Sequence, residues 1–210
     1  MPKVSPEYEY AQRERIVSGA TRAFARDGYV ATTIDQIGRE LGLSKGSIYT
    51  YFGSKEDLFV ASLQSIYDGR FEALTTAFAA DDPIEEKFRK ILEKLADIVS
   101  PRDDVFARLS LAGFLESSRI PRLLEIKTAS HRRFSDLVQR LLQEGQETGK
   151  VRSDLNVSSV TVVLLAVSDG LMLHSLVPGR GVKPKQVQSV LHETFLPMLG
   201  AAPAATRKKE

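Results

Sequence analysis

The stretch that decides the fold runs from Thr32 to Lys55 and reads TTIDQIGRELGLSKGSIYTYFGSK. Its apolar residues recur at helical spacing in two short segments, which are separated by Gly42-Leu43-Ser44. Two short helices joined by a turn of about three residues are the pattern of a helix-turn-helix. The predicted inner face consists of Ile34, Ile37 and Leu41 on the first helix and of Ile48 and Phe52 on the second.

Hydroxyl side chains mark the start of both helices. The Thr33 hydroxyl is expected to cap free backbone amides, and Gln36 is expected to reach back to it as in a capping box. Ser44 is the predicted cap of the second helix. The first helix is predicted to end at Gly42.

The outer face of the second helix carries one cation, small polar residues and phenols, a set that suits the groove of a DNA duplex. Lys45 can pair with a phosphate or a guanine, and Gly46 lets the helix end approach closely. The amides at the two helix starts can meet phosphates. The outward residues are Lys45, Gly46, Ser47, Tyr49, Thr50 and Tyr51.

These motifs resemble the DNA-binding domain of the tetracycline-repressor (TetR) family. The resemblance rests on Phe24 to Tyr29, Thr32-Thr33, Ile37, Gly42-Leu43-Ser44, Gly46, Tyr49, Tyr51-Phe52 and Ser54-Lys55-Glu56. It implies a homodimeric, usually repressing transcription factor that leaves its double-stranded DNA operator when a small molecule enters the C-terminal domain. The residues to which it assigns base or phosphate contact are Thr33, Ser44, Lys45, Gly46, Ser47, Tyr49, Thr50, Tyr51 and Lys55.

Two residues depart from the family pattern, because Gly38 and Leu41 stand where the family often has alanine. A glycine inside a helix costs about 1 kcal/mol relative to alanine, and Leu41 fills more of the inner face. Neither position faces DNA, so the prediction of DNA binding is unchanged.

The composition is that of a soluble globular protein, with 210 residues, 42% of them hydrophobic, and a net charge of +2. This near-neutral balance excludes a bulk polycation. The absence of cysteine excludes disulfides, thiolate nucleophiles and Cys-ligated metals, and it fits a cytoplasmic protein. The three histidines are widely spaced and form no metal-ligand motif, so neither a metal nor a cofactor is expected.

An enzymatic alternative arises because Gly42-Leu43-Ser44-Lys45-Gly46 satisfies the G-x-S-x-G pattern of a hydrolase nucleophile. That nucleophile follows a strand, whereas a capped helix is predicted here. We therefore expect no enzymatic activity. The alternative that stays open is a helical small-molecule-binding or enzyme domain whose helix-turn-helix is vestigial.

The whole chain is predicted to be all-α, with about nine helices. Residues 1–55 form the predicted DNA-binding three-helix bundle, residues 56–200 a helical regulatory and dimerisation domain, and residues 201–210 a disordered tail. Gly28 is expected to stop the first helix because glycine readily takes a left-handed conformation.

Local signals also predict the helices of the C-terminal part. Asp154 is the predicted cap of the penultimate helix, and the last helix is predicted to run from Pro184 to Leu199. The β-branched run Val157 to Val163 could form a strand. Its apolar continuation through Leu173 is longer than an ordinary strand and favours a helix.

The run from Val160 to Val177 is apolar enough to suggest a membrane span, but Asp169 lies near its middle and is costly in a bilayer. A buried helix covered on more than one side is therefore predicted, and a partner subunit could supply the missing cover. This helix and the last helix of each protomer would together form a four-helix dimer interface. The alternative is that both helices complete a monomeric core.

A small-molecule site is predicted where apolar side chains recur at helical spacing and form a stripe with polar neighbours. A stripe of this kind occurs more often in a core than in a pocket, and it does not specify the ligand. The predicted contacts are Phe106, Arg108, Leu109, Phe114, His131, Phe134, Leu137, Ser168, Asp169 and Met172.

Overall fold

The computed structural model describes residues 5–77, 79–97, 104–177 and 183–200, and the regular secondary structure in these ranges is helical. The predicted all-α fold is confirmed, while the predicted disordered tail lies outside the described residues. The nine helices of the described ranges are α1 (Pro6–Ala31), α2 (Ile34–Leu41), α3 (Lys45–Tyr49), α4 (Lys55–Thr75), α5 (Ile84–Ala96), α6 (Asp104–Glu116), α7 (Pro121–Glu147), α8 (Val157–Ser175) and α9 (Pro184–Leu199).

The local signals in the sequence agree with most helix boundaries. Gly28 has φ +79° and ψ 167° and breaks the helical backbone near the end of α1, as predicted. The β-branched run that opens α8 is helical. The cap of α8 is Asn156, whose side-chain oxygen accepts the Ser159 amide at 2.9 Å. The prediction of Asp154 as this cap is wrong, because its carboxylate is paired with Arg152 at 2.7 Å.

The described chain divides into two compact units. The first contains residues 5–70 and 104–130, and α4 and α7 each contribute residues to both units. Its apolar core is built on Phe24 and Phe59, whose rings lie edge to face with centroids 4.9 Å apart. Leu109 of α6 and Leu123 of α7 are buried in the same core. The packing unit that holds the helix-turn-helix is therefore larger than residues 1–55, and a functional boundary at residue 55 stays a prediction.

The second unit is built from the end of α4, the later part of α7, and α5, α8 and α9. Apolar residues of α5, including Phe88 and Ile91, are buried, as are Val187 and Leu191 of α9. Lys87 is nearly buried, and its ammonium lies 3.1 Å from a carboxylate oxygen of Glu144. This pairing offsets part of the cost of burying the charge.

Helix α8 is covered on one side only. Thr161, Leu164 and Met172 are buried, whereas Val162 is 63% exposed and Leu173 is 48% exposed. The single chain therefore does not supply the predicted cover on a second side, and cover by a partner subunit stays a prediction. In the described part of the chain, α8 alone is long and apolar enough to cross a membrane by those two criteria.

Candidate nucleic-acid interface

The two short helices are delimited by hydrogen bonds within their own segment. The Thr33 hydroxyl accepts the Gln36 amide at 3.2 Å, and the Ser44 hydroxyl accepts the Ser47 amide at 3.0 Å. Gly42 adopts φ +65° and ψ 33°, the left-handed conformation that closes α2 and that glycine takes without strain. Both predicted caps and the predicted end of α2 are confirmed.

The side chain of Gln36 does not complete the predicted capping box. Its amide nitrogen donates to Asp27 at 2.6 Å, because the end of α1 lies beside α2. Arg26 donates to the same Asp27 carboxylate at 2.8 Å and to Glu40 of α2 at 2.6 Å. These hydrogen bonds from Arg26 hold the pKa of both carboxyls below their usual range, so both are charged at neutral pH. The network fastens α2 to α1.

The end of α2 is fastened to α1 by a second contact, because the Arg15 guanidinium donates to the Leu41 carbonyl at 2.6 Å. The Leu41 side chain lies over Gly19, and a Cβ built on Gly19 would stand 2.7 Å from Leu41 Cδ2. The large residue at 41 is therefore accommodated by the absence of a side chain at 19. Residue 19 lies outside the segment from Thr32 to Lys55, and only the fold pairs it with residue 41.

We expect Gly19→Ala to lower the free energy of unfolding by about 1 kcal/mol, because a cost of about 2 kcal/mol for displacing the end of the Leu41 side chain exceeds the gain of about 1 kcal/mol that alanine brings to a helix. The cost should be smaller when Leu41→Ala is already present. Urea denaturation of the wild type, both single variants and the double variant measures this coupling. Strict additivity of the two changes would contradict the proposed packing.

Helix α3 turns one face into the core and the other to solvent. Ile48 is fully buried and Phe52 is 4% exposed, whereas Tyr49 is 42% exposed. Of the nine residues predicted to contact DNA, six are exposed and three are half-buried. The exposed ones are Thr33, Ser44, Lys45, Gly46, Tyr49 and Thr50; the half-buried ones are Ser47, Tyr51 and Lys55.

The cation of α3 is already paired within the protein. The Lys45 ammonium lies 3.2 Å from a carboxylate oxygen of Asp35 on α2, and both side chains are more than half exposed. Exposed pairs of this kind are weak, so a phosphate can replace the carboxylate at small cost. The position of Asp35 in the first turn of α2 is visible in the sequence, but its pairing with Lys45 depends on how α2 and α3 pack.

Lys55 lies in a different environment from Lys45. Its ammonium donates to the carbonyls of Tyr29 at 2.9 Å and Thr32 at 3.0 Å, at the end of α1. The structure therefore places Lys45 of α3 beside Asp35 in the first turn of α2 and ties the ammonium of Lys55 to the backbone.

The predicted small-molecule contacts fall into both units. Leu109 is fully buried in the core of the first unit, Phe106 packs against that core, and Phe114 is 58% exposed. Arg108 is exposed. The remaining six, His131, Phe134, Leu137, Ser168, Asp169 and Met172, belong to the second unit.

In the second unit, the fold brings together two of the polar predicted contacts. His131 on α7 and Asp169 on α8 approach to 3.6 Å between the ring nitrogen and a carboxylate oxygen. Leu137 and Met172 are largely buried on the same two helices. A cleft of about 510 Å³ in the first unit, bordered by Arg13 and Tyr51, is lined by none of the predicted small-molecule contacts.

Two family profiles match the chain. The profile of bacterial regulatory proteins of the tetR family matches residues 16–62. The profile of the C-terminal part of BetI-type transcriptional repressors matches residues 84–199, which is more than half of the chain.

Curated relatives are similar over most of their length. An uncharacterised HTH-type transcriptional regulator of Bacillus subtilis, YfiR, is 23% identical over 83% of this chain and 85% of the relative. The HTH-type transcriptional repressor AcnR of Corynebacterium diphtheriae is 26% identical over 82% of this chain and 85% of the relative.

Solved structures share the fold. A TetR transcriptional regulator of Chloroflexus aurantiacus superimposes with a TM-score of 0.81 at 22% identity, covering 93% of this chain and 100% of that one. A protein of Saccharomonospora viridis solved in complex with choline gives a TM-score of 0.79 at 23% identity, covering 92% and 100%. With its capped helix-turn-helix and the two matching profiles, the chain belongs to the TetR family of bacterial DNA-binding transcriptional regulators, and its C-terminal part is of the BetI repressor type.

Proposed function

We propose that this protein is a cytoplasmic homodimeric repressor that binds a near-palindromic operator and leaves it when a small molecule binds the second unit. The observation that carries the proposal is the two-sided α3. Its inner face is locked in an apolar core by Ile48, while Tyr49 and Lys45 face solvent beside the exposed start of α2. A short helix held this rigidly can present its polar side chains to the edges of bases.

The proposed DNA contacts divide by chemistry. Thr33 and Ser44 lie at the starts of α2 and α3, where free amides and hydroxyls suit phosphate oxygens. Lys45 can exchange its Asp35 partner for a phosphate or a guanine. Tyr49 is the largest exposed side chain of α3 and is the proposed main base contact. Gly46, Ser47, Thr50 and Tyr51 complete the set.

The proposed dimer interface is the uncovered face of α8 together with α9. This face carries Val162 and Leu173 at its ends and the exposed Ala166 and Gly170 between them, so another helix can approach closely. On α9, Val190 is 60% exposed. A second copy covers these groups more readily than a bilayer, because Asp169 would cost about 2.5 to 3.5 kcal/mol near a bilayer centre.

A two-fold dimer sets the form of the operator. Each protomer presents one α3, so the two recognition helices meet half-sites related by the same two-fold axis. Half-sites that face the same side of B-DNA are spaced by about 34 to 36 Å or a multiple of that distance. The expected operator is therefore a near-palindrome.

The proposed effector site uses the residues of α7 and α8 in the second unit. His131 and Asp169 supply polar contacts, and Leu137 and Met172 supply apolar surface. Choline is the first compound to test, because the Saccharomonospora viridis protein that shares this fold was solved with choline. The Asp169 carboxylate offers a charge of the opposite sign to its quaternary ammonium.

Selection of random and genomic duplexes by the purified protein tests the proposal. The wild type should enrich a near-palindrome at moderate salt, where non-specific binding is weak. Tyr49→Ala should lose at least about 30-fold in affinity for the enriched duplex, because each dimer loses one base contact in each half-site. Fluorescence anisotropy with the labelled duplex measures the loss.

Phe114→Ala is the matched control, since Phe114 is also an exposed aromatic residue but lies on α6. It should bind the duplex as the wild type does. Unchanged affinity of both Tyr49→Ala and Lys45→Ala, in chains that still fold, would contradict the proposed interface. Turnover of a small molecule by a chain that enriches no duplex would favour the enzymatic alternative.

A further inference from the structure

We propose that Lys55 positions the helix-turn-helix and does not contact a DNA phosphate. The inference deepens the proposed DNA-binding function and rests on it. Lys55 is the first residue of α4, and its ammonium reaches back to the end of α1 across more than twenty residues of sequence.

The ammonium of Lys55 is surrounded by backbone oxygens. It donates to the carbonyl of Tyr29 at 2.9 Å, to that of Thr32 at 3.0 Å and, more weakly, to that of Val30 at 3.4 Å. It also lies 4.4 Å from the centroid of the Tyr29 ring. A lysine ammonium has three protons to donate, so these three acceptors match its full capacity. The ring face adds a favourable cation–π contact.

These carbonyls need a donor because the helix ends there. The amide and the hydroxyl of Thr32 both donate to the carbonyl of Gly28, at 3.3 and 2.7 Å. The carbonyls that follow Gly28 are at the C-terminus of α1, where the chain supplies no further helical amides. Lys55 therefore supplies the hydrogen-bond donor that these carbonyls lack.

The hydrogen bond from Lys55 to Thr32 connects the two residues that flank the helix-turn-helix. Thr32 precedes the cap of α2, and Lys55 opens α4 directly after the segment that contains α3. The bond between residues 32 and 55 thus joins the two ends of the segment 33–54. Tyr29 is anchored in turn, since its ring lies 4.7 Å from that of the buried Phe59. Loss of the ammonium frees both ends and misplaces α2 and α3 relative to each other.

Lys45 differs in each of these respects. Its side chain is more than half exposed, and its partner is a single exposed carboxylate. A phosphate can replace Asp35 at Lys45, whereas at Lys55 it would have to replace three backbone carbonyls and leave them without donors. The two lysines can therefore be compared directly: Lys45 is expected to contact DNA, and Lys55 is expected to position α2 and α3.

The salt dependence of binding separates the two roles. Each phosphate contact contributes about 0.9 to the slope of log K against log salt concentration, so its loss from both protomers changes the slope by about 1.8. With the duplex most enriched by the wild type, Lys55→Met should bind about tenfold more weakly at every salt concentration, with an unchanged slope. Lys45→Met should flatten the slope. Equal flattening by Lys55→Met would overturn the proposal.

Acetylation of the wild-type protein gives a readout that needs no variant. With sulfo-NHS-acetate and peptide mass spectrometry, Lys45 should react in the free protein, while Lys55 should be protected with or without DNA. A Lys55 that reacts freely and becomes protected only on the duplex would overturn the proposal. This measurement also decides the matter if Lys55→Met fails to fold. If the wild type enriches no duplex, the proposed function fails, while protection of Lys55 in the free protein is tested independently.

Discussion

Gly170→Arg is expected to turn the proposed dimer into a monomer and to lower affinity for the proposed operator by a factor on the order of 10² to 10⁴, because the two half-sites would no longer be bound together. Gly170 is exposed on the uncovered face of α8, and a Cβ built there meets nothing within 4 Å in its own chain. The arginine therefore fits the isolated protomer, and it improves helix propensity. In the proposed interface the same side chain places a bulky charge between two apolar helices.

Sedimentation equilibrium measures the change directly, since a monomer has a mass of 23.2 kDa and a dimer twice that value. Anisotropy titration of the enriched duplex measures the affinity. Gly69→Arg is the matched control: Gly69 is an exposed helical glycine of α4 with equally open space around it. That variant should stay dimeric. A dimeric Gly170→Arg would rule out this face of α8 as the interface.

Gly38→Ala is the substitution with the largest expected effect on folding, with a loss of about 2 kcal/mol in the free energy of unfolding. A Cβ at residue 38 would lie 2.6 Å from the carbonyl oxygen of Leu43. The amide of Leu43 donates to the carbonyl of Gly38 at 2.8 Å, so the turn is held against α2 at this point. The clash exceeds the gain of about 1 kcal/mol that alanine brings to a helix.

The obstructing atom is a backbone oxygen of Leu43, so the clash cannot be relieved by shortening a side chain. The turn must open, which shifts α3 and should weaken binding to the enriched duplex as well. Urea denaturation measures the stability, with Gly46→Ala as the matched control on the neighbouring helix. A Cβ at residue 46 meets only the Ser44 hydroxyl oxygen, at 3.8 Å. A Gly38→Ala chain as stable as the wild type would show that this close approach is not a constraint.

Gly38 has a role that its local sequence does not indicate. In the sequence, this glycine is a departure from the alanine that is frequent in the family and predicts only a weaker helix. In the structure it makes room for the turn, as Gly19 makes room for Leu41. Both glycines are buried, and neither requirement is visible before the helices are packed together.

The sequence alone determined the features that depend on hydrogen bonds between near neighbours. Thr33 and Ser44 cap amides three residues away, and Gly42 closes α2 in the left-handed conformation. The helical period also placed Ile48 in the core and Tyr49 at the surface. Such bonds and periods are contained in a few consecutive residues, so they can be predicted without the fold.

Only the tertiary structure decided which distant groups meet. The Gln36 side chain donates a hydrogen bond to Asp27 and does not complete the predicted capping box. The Lys55 ammonium donates to the carbonyls at the end of α1. Leu109 proved to be a core residue, which the sequence left open because the spacing of apolar residues favours a core over a pocket but does not decide between them for any one residue. Which residues of α8 its own chain leaves uncovered could not be predicted either, because the sequence shows that the helix is apolar but not which of its sides pack against the other helices. The physical reason is the same throughout: a side chain takes the best partner within reach, and packing of the helices decides what is within reach.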